Sequence, residues 1–317
     1  MTSNTQNPNA AADHIAVVGA GQIGAPVVES LALRGMQVTW VSRTRPKFVP
    51  AGVEHKCVDA RDAAALADAV RGASAVIAAV NPATYDVQVW RETLPPLQRG
   101  LIDAVGSVGA RLVLLDALYL YAPDQGPLSP HTAQNPQTEK GKIRKQTADM
   151  LVEAQAQGRI RATTLRASDF WGPDLSAALL TRQGLAGLRA GKRPFLIGDP
   201  DQPHAFSHRD DVVCGLVNLA LAERDVEGKV FHAPVVHVTP RELVAAVARA
   251  LGVDVRPFVA PGWMLRAIGL FSKSTRGLLE MLPQWRNPYL VDDRAYCDRF
   301  GVRAISLEDG VARLVHA

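Results

Sequence analysis

Between His14 and Arg45 the hydrophobic pattern changes period repeatedly. Ile15–Val18 is a run of consecutive apolar residues, the pattern of a strand buried on both faces of a parallel sheet. It breaks at Gly19-Ala20-Gly21-Gln22-Ile23-Gly24, continues with helical spacing to Gly35, and returns to an apolar run at Val38-Thr39-Trp40-Val41. The stretch predicts strand, turn, helix, strand. The same alternation continues downstream. A third strand over His55–Asp59 precedes an Ala-rich helix from Asp62 to Arg71, and a fourth strand, Ala75–Val80, ends at Asn81-Pro82. After Pro95-Pro96 a helix is expected over Leu97–Val108, then a fifth strand over Arg111–Leu115. A long helix follows from Thr138 to Gln157, stopped by Gly158, and then a sixth strand over Ala162–Arg166. Strands that alternate with helices in this way predict an α/β doubly wound parallel sheet of the Rossmann type.

From Asp169 the rhythm changes. Phe170-Trp171-Gly172-Pro173 reads as a turn, Ser176–Ala190 as a helix and Phe195–Ile197 as a brief strand. Asp211 is placed to cap a helix running to about Ala222, Gly228–Phe231 to return to the main sheet, and Thr239-Pro240-Arg241-Glu242 to open a further helix. The remainder is mostly helical and carries Trp263, Trp285 and Tyr289. The expected organisation is a disordered leader over 1–12 and a dinucleotide-binding domain over 13–168, to which 205–235 return. A smaller C-terminal substrate-side cap domain is expected over 169–204 and 236–317.

Composition narrows the function classes. The chain has 317 residues and a net charge of +4, with 35 basic residues interleaved among 31 acidic ones, so nucleic acid is not an expected partner. No apolar run approaches the length of a membrane helix, and no membrane partner is expected. Cys57, Cys214 and Cys297 are too far apart for metal-ligand spacing. They are expected as buried small hydrophobes in a reducing, cytoplasmic setting. His204 and His208 are four apart, but Pro203 and a predicted loop argue against a metal site. His208 is expected to line the cleft.

The glycine turn carries the chemistry. Gly19 permits the tight turn, Gly21 lets a pyrophosphate approach the backbone, and Gly24 lets helix and strand pack closely, with Gln22 and Ile23 between them. The free N–H groups of the helix N-terminus bind an anion without a basic side chain. A site that prefers NAD carries an acid at the end of the second strand. This chain has Ser42-Arg43-Thr44-Arg45, so a 2′-phosphate is favoured and NADP is expected over NAD. Asp59 is placed either to contact adenine or to lead the following helix, and the Asn81-Pro82 loop to line the cofactor cleft. Ser168, Asp169 and Trp171 follow the sixth strand, where ligands bind in open α/β sheets.

In order along the chain, three segments resemble the extended short-chain dehydrogenase/reductase family, which contains NAD-dependent epimerases and dehydratases. They are Gly19-x-Gly21-x-x-Gly24, the Leu118-Tyr119-Leu120-Tyr121-Ala122-Pro123 segment and Arg166-Ala167-Ser168-Asp169-Phe170-Trp171-Gly172-Pro173. Gly198-Asp199 followed by His208-Arg209-Asp210-Asp211-Val212 extends the resemblance, which covers nearly the whole chain from His14. It implies a nicotinamide cofactor, a small-molecule substrate and a homodimer. It also implies a Tyr acid/base, a Lys four residues later and a Ser or Thr after the fifth strand. The matching positions hold Lys140, Arg144 and Ala117. The family's usual proton relay is therefore missing. Lys140 and Arg144 form an i,i+4 pair that can point into the cleft: Arg144 to hold cofactor ribose or phosphate, Lys140 to carry a proton. Tyr119 and Tyr121 are expected on opposite faces, with Tyr119 the alternative hydroxyl donor. Two functions remain open, an NADP-dependent oxidoreductase or epimerase-like enzyme and a non-catalytic NADP(H)-binding sensor.

Overall fold

The computed structural model describes residues 14–316 except 83, 177, 272–276 and 278; the expected leader over 1–12 lies outside the described residues. Seven parallel strands form the central sheet in the order β10-β6-β5-β4-β1-β2-β3. They are β1 (His14–Val18), β2 (Gln37–Ser42), β3 (Val53–Cys57), β4 (Ala75–Ala78), β5 (Arg111–Ala117), β6 (Arg161–Ala167) and β10 (Val230–His232). The strand order reverses between β1 and β4, which pair in register from Ile15↔Ala75 to Val18↔Ala78. A crevice opens at such a reversal, outside the carboxyl ends of the strands.

Helices cover both faces. Trp90, Leu94, Leu97 and Leu101 of α3 (Val87–Ser107) and Ile143, Leu151 and Ala154 of α4 (Glu139–Ala156) bury against one face. On the other lie Val27, Val28 and Leu31 of α1 (Gly24–Leu33) and Val212, Leu216 and Leu219 of α6 (Arg209–Leu221). Tyr296, Cys297 and Phe300 from the late helix Arg294–Phe300 pack into that second core too. Arg111 of β5 holds the carboxyl end of α6, donating to the carbonyls of Ala220, Ala222 and Glu223 at 2.7, 2.8 and 3.0 Å. The first two are carbonyls that the helix end leaves unpaired, and Glu223 lies just beyond it.

Several elements differ from expectation. α3 starts at Val87, not Leu97, because Asp86 caps it by accepting from Gln88 N at 2.8 Å. Pro95 and Pro96 sit inside the helix. The carbonyls they leave without an i+4 donor belong to the exposed Arg91 and Glu92, which face water. Of the turn expected over Phe170–Pro173, Phe170 and Trp171 are instead strand: Asp169–Trp171 is β7, which pairs with β9 (His204–His208), and β9 also pairs with β11 (Val236–Val238). The helix expected over Ser176–Ala190 is confined to α5 (Arg182–Arg189), where Thr181 supplies the cap. The α6 cap is His208 in place of Asp211, whose carboxylate accepts from Ile305 N at 2.9 Å. Cys57 and Cys214 are exposed, not the buried small hydrophobes expected, and Cys297 is half-buried against the second core. Cys57 lies on the edge strand and Cys214 on the outer face of α6. The Thr239 capping box forms as the sequence predicts and starts α7 (Pro240–Ala250).

Candidate active site

A cavity of about 350 Å³ opens at the carboxyl edge of the sheet. Its wall is built from the loops that follow β1 (Gly21, Gln22, Ile23), β4 (Asn81, Pro82, Tyr85), β5 (Leu118, Tyr119) and β6 (Ser168, Asp169), with Arg144 of α4 and Tyr289 completing it.

The turn at the β1 end is fixed by sterics. Gly19 has φ +118°, and a Cβ there would sit 2.5 Å from the Ala79 carbonyl oxygen. A Cβ on Gly24 would lie 2.3 Å from the Gly19 carbonyl oxygen. That carbonyl accepts from Trp40 Nε1 at 2.8 Å, and Gly19 N donates to Val41 O at 2.9 Å, so β2 pins the turn. Gly21 differs: a Cβ there would meet nothing within 4 Å and would project into open space. No side chain caps the N-terminus of α1, and its first turn carries no acid. The residues present therefore fit a pyrophosphate drawn against Gly21 and the start of α1. Gly19 and Gly24 shape the turn without lining the cavity.

At the end of β2, Ser42 Oγ donates to Thr44 O at 2.8 Å and shares a hydrogen bond with His55 Nε2 at 2.9 Å. Arg43 is exposed. Asp59 takes two hydrogen bonds from Arg61 Nε, at 3.0 and 3.1 Å, and a third from its Nη2. Hydrogen bonding to Arg61 holds the carboxyl down at about 2, with Arg43 adding to the effect. The Asp59 charge is thus matched by Arg61, and among the described residues Arg43 makes no ion pair.

The two cations of the α4 face part company. Arg144 lines the cavity and is buried with Asp116. It donates to Asp116 Oδ1 at 3.2 Å and to Asn81 Oδ1 at 2.6 Å. The second Asp116 oxygen accepts from Arg166 Nε at 3.3 Å, and Arg166 also donates to the Tyr121 hydroxyl. Lys140 does not reach the cavity wall, contrary to the expectation that both residues point into the cleft. Its Nζ donates to the Gly277 carbonyl, lies 4.0 Å from Glu280 Oε2 and rests over the rings of Tyr85 and Trp90 at 5.4 and 5.8 Å. Burial lowers its pKa, opposed by Glu280 and Asp86. Trp90, donating to Thr84 O at 2.7 Å, stands between the two cations, with Arg144 5.0 Å from its ring.

Tyr119 and Tyr121 diverge as expected, although by a turn in which Tyr121 N donates to Leu118 O, not by strand alternation. Tyr119 faces the cavity beside Tyr85; burial first, then Tyr85 and Asp169, raises its phenol well above the usual value. The Tyr289 phenol is raised likewise, by burial and by Asp169. Ser168 gives its hydroxyl to Ala205 O at 2.7 Å. Trp171 and His208 do not reach the cavity: they pack edge to face at 4.9 Å in the cap-side core. Sequence reasoning missed Tyr85, Trp90, Tyr289, Asp116 and Arg166. Asp116 and Arg166 carried a signal, a charged residue within an apolar strand run; Tyr289 carried none. Among the described residues no cluster of three His, Cys, Asp or Glu side chains could hold a metal, and no helix is long and apolar enough to cross a membrane.

The sheet order, the glycine turn and the cavity at the strand reversal define a Rossmann-type fold whose turn fits a dinucleotide pyrophosphate. Residues 19–168 match the model of a family described as NAD(P)H-binding. The whole chain has the fold of the epimerase and dehydratase enzymes. It superposes on UDP-glucose 4-epimerase from Thermotoga maritima, solved with UDP-glucose, with a TM-score of 0.78 and 17% identity over 96% of this chain and 97% of that one. The dTDP-glucose 4,6-dehydratase of Streptomyces venezuelae, solved with NAD and TYD, gives 0.76 and 20% over 96% of each chain. The WbmG enzyme of Bordetella bronchiseptica, in complex with NAD, gives 0.76 and 19% over 98% and 94%. No curated protein matches the chain in sequence.

Proposed function

We propose that the chain is an NADP-preferring oxidoreductase or epimerase-like enzyme that acts on a carbonyl or hydroxyl of a small molecule, with the usual Ser, Tyr and Lys replaced. The observation that carries this reading is the cavity, which continues past the glycine turn to a group of phenols and Asp169. A protein that only sensed the cofactor has no need of space beyond it. Gly21, Gln22 and Ile23 would hold the pyrophosphate, Ser42 and Arg43 the adenosine 2′-phosphate, and Asn81 and Arg144 the central part of the cofactor. When bound, the nicotinamide supplies the hydride chemistry. Tyr119 stays protonated at neutral pH and gives a hydrogen bond to the substrate oxygen, the work of an electrophile. Lys140 supports Tyr85 and Trp90 behind that phenol.

The sensor alternative draws on Ala117, which leaves no hydroxyl where the family has one, and on Arg144, already paired with Asp116 and Asn81. Titration with NADPH and NADH, followed by nicotinamide fluorescence, tests both readings. NADPH is expected to bind more tightly, and Arg43→Ala to erase about tenfold of that preference, the worth of one charge-assisted contact. Tyr119→Phe is then expected to lower turnover of carbonyl substrates without changing NADPH affinity. Tight binding with no turnover of any carbonyl substrate selects the sensor. Failure to bind either nucleotide sinks both.

A further inference from the structure

Asp169 is the one acid of the cavity wall that no arginine or lysine neutralises among the described residues. Asp116 is shared by Arg144 and Arg166, whereas the ion-pair partner of Asp169 is an imidazole, His204. Both fixed donors reach the same carboxylate oxygen. Oδ2 lies 2.8 Å from His204 Nε2 and accepts from Gln284 Nε2 at 2.8 Å. Among the described residues no hydrogen bond reaches Oδ1, and the side chain keeps 19% of its surface exposed, toward the cavity it lines.

The carboxylate cannot turn away. His204 is 2% exposed and sits between the indole of Trp285, 4.2 Å away and nearly parallel at 14°, and the ring of Tyr289, 5.0 Å away at 29°. Gln284, 5% exposed, is held in the same turn as Trp285. Around Oδ1 the cavity wall is aromatic: Tyr85, Tyr119, Phe170 and Tyr289. A negative oxygen set among ring faces attracts an ammonium, through a charge-assisted hydrogen bond and cation–π contact, and repels phosphate or carboxylate.

We propose that Asp169 is the substrate-selecting residue of this cavity, taking the ammonium of a small amine-bearing substrate on Oδ1, and that His204 and Gln284 are positioning residues that hold Oδ2. This deepens the oxidoreductase reading and rests on it for what happens to the bound molecule, but not for the binding itself. It also separates the chain from the sugar-nucleotide enzymes whose fold it shares, because a diphosphate set against this oxygen meets like charge.

Three probes of one ring size and different charge, benzylamine, benzyl alcohol and benzoate, test it by calorimetric titration of the full chain with and without NADPH. Benzylamine is expected to bind at least tenfold more tightly than benzoate, with the alcohol between. Asp169→Asn keeps the shape and is expected to abolish that ranking. His204→Gln, which keeps a donor but loses the stacked ring, is expected to narrow it. If Asp169→Asn does not fold, the His204→Gln comparison decides. Benzoate bound as tightly as benzylamine, no binding of benzylamine, or a ranking unchanged in the variants overturns the proposal. Because the probes are read without cofactor as well, a failure of NADPH to bind appears separately, as failure of the cofactor reading.

Discussion

The glycine turn at one end of the cavity and the α4 face at the other are specified over different distances along the chain. At the turn the constraint is backbone sterics. Gly19 meets Ala79, Gly24 meets Gly19, and β2 closes the turn through Trp40 and Val41. On α4, Lys140 and Arg144 share charge, spacing and helix, yet one is buried away from the cavity and the other lines it. Their partners are remote: Asp116 and Asn81 lie 28 and 63 residues from Arg144, and Gly277 lies 137 residues from Lys140. Glycine spacing reports the turn directly because only glycine fits there. The direction of a cation is set by whichever acceptor the tertiary fold brings near it, and helical periodicity does not report that.

The sharpest break in the comparison is Arg144→Ala. It leaves the buried Asp116 with Arg166 as its remaining cation and frees the Asn81 amide oxygen. Removing one member of a buried ion group costs about 3–5 kcal/mol, and urea unfolding should show a loss of that size. The double variant Arg144→Met with Asp116→Leu is expected to recover much of it, because no buried carboxylate is then left behind.

Next in size is a contrast within the turn. Gly24→Ala places a Cβ 2.3 Å from the Gly19 carbonyl oxygen and must move α1 off β1; the expected cost is about 2–3 kcal/mol together with loss of nucleotide binding. Gly21→Ala meets nothing within 4 Å. Its stability is expected to stay within about 0.5 kcal/mol of the parent, while nucleotide affinity falls at least tenfold. Thermal melting and NADPH titration on the two variants separate a glycine that shapes the turn from one that admits a ligand. Equal melting losses in both would show that the turn is not built as described.

The central sheet was legible for the same reason the turn was. Buried parallel strands must be short apolar runs, so β1, β2, β4, β5 and β6 stand out, and the order of glycine, apolar run and helix spacing gives the topology. The Pro95-Pro96 pair misled because a proline rule concerns the helix interior as a whole, whereas here the orphaned carbonyls are on the wet side. Phe170–Pro173 reads as a turn because of Gly172-Pro173, and the chain does turn there, but Phe170 and Trp171 are strand; their pairing comes from Ser207 and His208, far along the chain. Of the site, the glycines, Asn81, Tyr119 and Asp169 could be named from strand ends. Tyr289 and Trp285, which fix His204, reach it from a segment whose position no local pattern encodes.

Buried titrating groups extend the comparison to pH. His232 is held down to about 4 by burial, with Arg166 adding to it. His208, packed on Trp171 near Asp210, Arg209 and Arg313, is likewise lowered, by burial first. In the unfolded chain both imidazoles take up protons near pH 6.5. Between that pH and about 4 the unfolded state binds more protons, so stability falls as the pH drops. Asp211 opposes this. Burial raises it to about 6, so in the window above the ordinary carboxyl value the folded state holds the extra proton and gains stability as the pH falls. Two imidazoles against one carboxyl favour a net loss of stability on acidification. Asp211→Asn keeps an acceptor for Ile305 N and removes the opposing group. It is expected to raise stability at pH 8 and to make the acid loss between pH 6.5 and 4 steeper, as measured by urea midpoints across that range.

The smallest expected effect is the one that most sharpens the contrast on α4. Lys140→Met keeps the length and fills the space beneath Tyr85 and Trp90, but deletes the ammonium. The groups it leaves are a single carbonyl, Gly277 O, and the Glu280 carboxylate, 4.0 Å away with 28% of its side chain exposed. Both are cheaper to leave than Asp116, because Gly277 O is neutral, the buried Glu280 Oε2 takes no hydrogen bond from the ammonium to begin with, and the ammonium carried its own desolvation cost, seen in the lowered pKa. The expected change is about 1 kcal/mol or less in either direction, against several for Arg144→Ala, with NADPH affinity unchanged. Turnover is the readout that separates the two roles open to Lys140. A proton carrier deleted in this way abolishes turnover at every pH. A support for the rings of Tyr85 and Trp90 that back Tyr119 lowers it in part, and the residual rate keeps the pH profile of the parent, because the group that meets the substrate is still Tyr119.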